Sequence, residues 1–263
     1  MKVITLLNEK GGVGKTTVAT HLATGLALRG NRVIIVDSDP QANATSSMAL
    51  TKEPEFHDLF IRNKSWKDAL RMVHPDVYSP SDSSATGQLF AVAGNIESKN
   101  VASTISGRDI FRRRFGELKS AVDYIVIDTS PTPSRLNEDI LLASDYVIIP
   151  TDCEAFSALE GLPDSIGHVY NAHNALKQIG IEGSRLIGIV PNKFRATTVL
   201  HRDFLGHLQK EYGDLVWEPM SIASVIGEVQ AAQQFLYALA HTSRACSQMW
   251  DIVSHVEGIK AYG

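Results

Sequence analysis

Short apolar runs alternate with longer segments of helical period along most of the chain. Val3–Leu7, Arg32–Asp37, Leu89–Ala93, Tyr124–Asp128, Tyr146–Pro150 and Leu186–Pro191 read as strands. Val33, Ile34, Ile35 and Val36 are continuous rather than alternating, as are Ile125, Val126 and Ile127, which suits strands covered on both faces. Between the first two strands, Val18, Leu22 and Leu26 recur at helical spacing and predict a helix over Thr16–Arg29. Gly30 and Asn31 supply its stop. Strand, helix and strand at this spacing make a right-handed βαβ unit. Its repetition predicts an α/β fold, a mainly parallel twisted sheet flanked by helices on both faces. Residues 1–263 read as a single domain.

The least regular stretch is Lys52–Gly107. Pro54, Pro75, Pro80 and the polar run Ser79–Gly87 break it into loops, with one helix expected around Trp66–Val73 and the run itself read as a surface loop. The last helical pattern extends from about Glu228 to His255, and its mixed polar positions favour a helix packed on the sheet over a membrane anchor.

The strongest chemical signal follows the first strand directly: Lys10-Gly11-Gly12-Val13-Gly14-Lys15-Thr16-Thr17. Backbone N–H groups can surround a nucleotide's phosphates only where side chains do not block the approach. Glycines at 11, 12 and 14 clear that space, and the next helix points its positive end at the anion. Gly11 through Thr17, with Val13 among them, are the candidate phosphate cradle. Lys15 can reach the β- and γ-phosphates, and the Thr16 hydroxyl can join a Mg²⁺ shell. The ordinary pattern G-x-x-x-x-G-K-[ST] would need glycine where this chain has Glu9. A second lysine, Lys10, follows instead, and one use for it is to reach phosphates held by another copy of the protein.

Two further strands end in acids on the same edge, giving Val36-Asp37-Ser38-Asp39-Pro40-Gln41-Ala42-Asn43 and Ile127-Asp128-Thr129-Ser130-Pro131. Ligands of open parallel sheets bind beyond the carboxyl ends of the strands, so these acids converge on the phosphates. Asp128 is the candidate Mg²⁺ partner beside Thr16, and Asp37 supports the metal shell. Asp39, with Lys10 and Lys15, is a candidate catalytic residue, placed to orient or activate the attacking water.

These segments resemble the ParA/MinD class of deviant Walker A ATPases, a P-loop NTPase family. Lys10–Thr17 resembles its KGGxGKTT loop, with Lys10 as the additional lysine. Asp37–Asn43 resembles DxDPQGN with Ala42 where glycine is usual, and Asp128–Pro131 resembles DxPP with Ser130 in place of the first proline. Pro150–Leu162, with Cys153, Glu154, Ala155 and the run Ala158–Leu162, is similar to another stretch of the family. The match runs from residue 2 to about 195 and is weak beyond. It implies an ATPase using ATP and Mg²⁺, whose ATP-bound homodimer sets each Lys10 on the partner's phosphates, and whose slow hydrolysis a partner stimulates. It also implies that Asn192 contacts adenine, that Pro219 and Met220 line the base pocket, and that Glu154 meets the ribose across the dimer.

Four readings within that class compete: a ParA-type partition protein, a MinD-type membrane-associated regulator, an iron–sulfur carrier, and a protein with a degenerate nucleotide site. The segment Val253–Gly263 lacks a Lys/Arg-rich face opposite bulky apolar residues, which counts against membrane docking. Only Cys153 and Cys246 are present, without a C-x-x-C, so a bridging cluster is disfavoured and Cys153 reads as a small buried apolar residue. Lys10, Lys15, Thr16, Asp39 and Asp128 together argue against a degenerate site. The partition reading remains, with nonspecific DNA, a ParB-like stimulating protein on a centromere-like site or cargo, and a cytoplasmic, nucleoid-associated location. Candidate DNA contacts are Lys193, Arg195 and Arg202, and a second basic cluster is Arg108, Arg112, Arg113 and Arg114.

Composition adds exclusions. The chain has 263 residues with 25 Lys+Arg against 29 Asp+Glu, a net charge of -4 that argues against a strongly basic nucleic-acid binder. Its apolar runs are far shorter than the roughly 20 residues a membrane span needs, and Met1–Glu9 has no signal-peptide h-region. A secreted, spanning or disordered protein is not expected. The first strand starts at Lys2, so no N-terminal helix-turn-helix and no operator-specific autoregulation are expected. The nine histidines show no metal-ligand spacing and read as structural.

Overall fold

Seven strands make one sheet: β1 (Lys2–Leu6), β2 (Arg32–Asp37), β3 (Leu70–Met72), β4 (Gln88–Val92), β5 (Tyr124–Asp128), β6 (Tyr146–Asp152) and β7 (Arg185–Asn192). Their spatial order is β3-β4-β2-β5-β1-β6-β7, parallel throughout except for the edge pair β3–β4. The structure, a computed structural model, describes residues 1–80, 86–105, 107–154 and 157–259. Residues 81–85 of the expected loop, Ala155 and the tail 260–263 lie outside that description.

The continuous apolar runs are explained by the two covered faces. Val33 and Ile35 pack into one core with Ile4, Leu6, and Val18, Leu22 and Leu26 of the helix Lys15–Leu28. Ile34 and Val36 pack into another, with Val3, Phe56, Phe60, Phe111 and Phe115. Strand side chains alternate in direction, so a strand buried on both sides must be apolar at every position. Each such side chain contributes about 1.5–3 kcal/mol on burial. A third core joins β6 and β7 to the helices Ser157–Gln178 and Val199–Tyr212 through residues such as Val147, Ile149, Val169 and Phe204. Among the described residues no helix is long and apolar enough to cross a membrane.

Two expectations need correction. The helix placed at Trp66–Val73 is a four-residue turn, Trp66–Ala69, that runs into β3. Leu70, Arg71 and Met72 become a strand by antiparallel pairing with Val92, Ala91 and Phe90, a long-range partner with no local signature. The pattern at Glu228–His255 is broken into Ser224–Ala231, Leu236–Leu239 and Arg244–Glu257. Gln233 takes a left-handed backbone (φ 51°) and the Phe235 N–H donates to the Val77 carbonyl, so tertiary contacts end the first helix.

Candidate functional site

The sheet order decides the site. β5 lies between β1 and β2, so the phosphate loop after β1 and the acids ending β2 and β5 sit on three adjacent strands. Asp37 and Asp128 are register partners, and Leu6, four residues before Lys10, pairs with Asp128 from the other side. Beyond them opens a cleft of about 510 Å³ lined by Gly11, Gly12, Gly14, Lys15, Thr16, Thr17, Asp39, Pro40, Gln41, Asn43, Ser130, Pro131 and Thr132.

The loop is built for close approach of an anion. A Cβ on Gly11 or Gly12 would meet no protein atom within 4 Å, so the bare backbone there opens onto the cleft. Gly14 has φ 97°, and a Cβ on it would collide with the Asn192 amide. Asn192 Nδ2 donates to the Val13 carbonyl at 2.9 Å, while its Oδ1 accepts from the Lys193 N–H at 2.8 Å. The end of β7 therefore braces the loop from behind. Lys15 Nζ donates to the Lys10 carbonyl at 3.1 Å. Burial lowers the Lys15 pKa, and the charges of Asp128 and Asp39 act in the opposite direction.

Thr16 Oγ1 donates to Asp128 Oδ2 at 2.7 Å, and Asp128 is fully buried. Its other oxygen, Oδ1, is buried without a hydrogen-bond partner. Burial, then the neighbouring Asp37 carboxyl, pushes the Asp128 pKa up. Two packed acids, an orphaned oxygen and a hydroxyl make a hard-oxygen donor set that a divalent cation would relieve. Thr16 and Asp128 are the residues that would hold Mg²⁺, which would there neutralise phosphate charge. Asp37 stands differently. Its Oδ2 accepts from both Thr45 N–H and Thr45 Oγ1 at 2.7 Å, and its Oδ1 from the Asp39 N–H at 3.3 Å. It anchors the turn that presents Asp39, whose own Oδ1 accepts from the Gln41 N–H at 2.9 Å.

The turn also shows why glycine suits position 42. Ala42 has φ 52°, a left-handed conformation that costs an L-residue about 1–2 kcal/mol. Sequence reasoning missed Thr45, which holds Asp37, and Ser38, whose Oγ donates to the Asp128 carbonyl at 2.7 Å. Both are common residue types in unremarkable spacing, and only their long-range partners give them a role.

The remaining candidates lie outside the cleft lining. Glu154 meets Lys193 at 3.6 Å and Arg195 at 3.7 Å, and Lys193 also meets Asp152 at 3.2 Å. Arg202 donates to the Ala196 carbonyl at 2.7 Å. Met220 is buried in the core, and the Pro219 carbonyl accepts from Gln248. In the other basic cluster, Arg108 pairs with Glu138 and Asp139, Arg112 donates to the Leu142 carbonyl, and Arg114 is buried against Glu117 and the Lys64 carbonyl. Those three side chains serve local structure. Cys153 and Cys246 are both buried and belong to different cores. Burial pushes the Cys153 thiol up to about 12, which leaves it unreactive. One histidine does gather acids: His57 Nδ1 lies 3.1 Å from Asp58 and 3.4 Å from Glu97, with Asp58 also held by Arg62.

Residues 1–179 match the AAA domain family. The chain is 34% identical over 221 residues to the sporulation initiation inhibitor protein Soj of Bacillus subtilis, covering 82% of each chain. It is 29% identical to the chromosome-partitioning ATPase Soj of Treponema pallidum, covering 82% of this chain and 81% of that one. Its fold is similar to that of apo McdA from Cyanothece, with a TM-score of 0.79 at 20% identity over 98% of this chain and all of the other. With the phosphate loop, its extra lysine and the two strand-end acids in place, the chain belongs to the AAA domain family as a ParA-type P-loop ATPase.

Proposed function

We propose that this ATPase is a partition-type positioning protein whose ATP-bound homodimer binds nonspecific DNA and lets go when a ParB-like partner on the cargo stimulates hydrolysis. The observation that carries this reading is the two-lysine loop in a chain 34% identical to a Soj protein over most of its length. Lys15 serves its own nucleotide and Lys10 reaches the phosphates of the other subunit. Asp39 orients the attacking water, and Asp37 supports it from behind. Asn192, Pro219 and Met220 adjoin the base, and Glu154 meets the ribose across the dimer. The protein works in the cytoplasm, on the nucleoid.

Lys193, Arg195 and Arg202 remain the DNA contacts of this reading. In the subunit described here Asp152 and Glu154 balance Lys193 and Arg195. That cluster carries no net charge, which accords with weak DNA affinity before ATP binds. The membrane alternative has less support. In the helix Arg244–Glu257 the apolar face, Ala245, Met249, Ile252, Val253 and Val256, is already buried in the core. The buried, separated cysteines likewise offer little to an iron–sulfur cluster.

The test is binding to a random-sequence duplex with ATP, with ADP and without nucleotide, across a salt series. Binding with ATP alone, weakening linearly in log Kd against log salt, is expected for phosphate contacts. No binding in any state, or equal binding in all three, overturns the DNA reading.

A further inference from the structure

We propose that Asn137 is a positioning residue for ATP hydrolysis, fixing through its side-chain amide the Ser130–Thr132 wall of the phosphate cleft. That wall leaves β5 after Asp128 and has no helix or strand of its own before the helix Arg135–Leu141. Pro131 and Pro133 have no N–H to anchor it. Its internal brace is the Thr132 N–H on Ser130 Oγ at 3.3 Å.

Asn137 supplies what the backbone lacks. Its Nδ2 donates to the Ser130 and Thr132 carbonyls, both at 3.1 Å. Among the described residues no other side chain bonds either carbonyl. The orientation of the amide is determined by these neighbours, since two carbonyl oxygens require the NH₂ group. Asn137 sits in the first helical turn, its own N–H donating to Ser134 Oγ at 3.3 Å, so a helix start holds the donor in place.

Stability alone does not account for this group. Asn137 is 6% exposed and its Oδ1 is buried without a partner. Such an atom costs about 1–3 kcal/mol, and an apolar side chain would avoid that cost. The amide is explained by what its other end holds, a wall bordering the same cleft as Thr16 and Asp39. Ser130 sharpens the point. It stands where the DxPP pattern has proline, and serine lacks the fixed φ that would stiffen the wall by itself. Asn137 takes over that stiffening from outside the loop.

Asn137 does not line the phosphate cleft, so its effect falls on the hydrolytic step and not on ATP binding, which rests on Gly11–Thr17. The experiment compares wild type, Asn137→Ala, the isosteric Asn137→Asp, and the double variant Ser130→Pro/Asn137→Ala. Basal kcat, ATP affinity by titration of a fluorescent ATP analogue, and thermal unfolding are measured for each. Loss of the amide lowers kcat by about ten-fold to a hundred-fold, the upper figure being the scale of a 1 Å misplacement, with ATP affinity changed by less than about two-fold. Ser130→Pro restores most of the loss, because Ser130 N–H donates no described hydrogen bond and the fixed φ of proline replaces both the amide's hold and the Ser130 Oγ brace on the Thr132 N–H that the substitution removes. If Asn137→Ala does not fold, Asn137→Asp carries the comparison. An unchanged kcat, a parallel fall in kcat and affinity, or a double variant no better than the single one overturns the proposal.

Discussion

At the scale of single residues, the buried pair Asp37 and Asp128 is the most consequential feature. Burial pushes both above the ordinary carboxylate range, with the Asp39 charge adding to the rise at Asp37 and the Asp37 charge to that at Asp128. A carboxyl whose folded pKa is raised keeps its proton in the folded state after the unfolded chain has lost it. The pair therefore costs stability progressively as pH rises from the usual carboxylate range through the raised values. Asp128→Asn keeps the shape and removes the buried titratable carboxyl, so the nucleotide-free protein should melt higher by a few degrees, given that about 1 kcal/mol corresponds to roughly 2–4 °C in a chain of this size. The same variant should lose Mg²⁺-dependent hydrolysis. Thermal unfolding and an ATPase assay check both, and a lower melting temperature would show that the pair is no burden.

The elements were legible in proportion to how locally they are specified. The six strands read from apolar runs correspond to β1, β2, β4, β5, β6 and β7, within a residue or two, because two-sided burial leaves a mark in every position. The short β3 and the breaks after Ala231 left no such mark. His21 shows what holds the second of these. It is 2% exposed, its Nδ1 lies 2.8 Å from the Thr17 carbonyl, and its Nε2 accepts from the Leu236 N–H at 3.3 Å. Those partners require a neutral ring with the proton on Nδ1. Tyr237 Oη donates to the His21 carbonyl at 3.0 Å, so the helix after the phosphate loop and the segment Phe235–Tyr237 are one packed unit.

A prediction follows at this scale. Burial lowers the His21 pKa to about 4, against an ordinary 6.5. Between those values the unfolded chain binds a proton that the folded protein refuses, so stability from His21 is complete above 6.5 and declines as pH falls towards 4. Wild type should exceed His21→Gln in unfolding free energy near pH 7, and the gap should shrink by about 2 kcal/mol near pH 5. Denaturant titrations at the two pH values measure it, and a constant gap would contradict the assignment.

For the whole molecule the question is what two copies do. With Lys10 acting across a dimer, Lys10→Ala should retain ATP binding by the monomer while losing ATP-dependent dimerisation, whereas Asp39→Ala should bind ATP, hydrolyse it at least about ten-fold more slowly and accumulate as dimer. Sedimentation with and without ATP reads both, and dimers of Lys10→Ala matching wild type would remove the cross-subunit role.

By itself the sequence determined the chemistry that a few contiguous residues carry: the glycines and Lys15 of the loop, the acids at two strand ends, the apolar runs. Such features follow from periodicity, backbone freedom and charge within a short window. Tertiary structure decided which of them meet. β5 had to insert between β1 and β2 to set Asp37 beside Asp128. Asn192 had to cross 179 positions to brace Val13. Lys193 and Arg195 found counter-ions in Asp152 and Glu154. Sheet order and ion pairing depend on how whole faces pack, a property of surfaces that no short window of sequence contains.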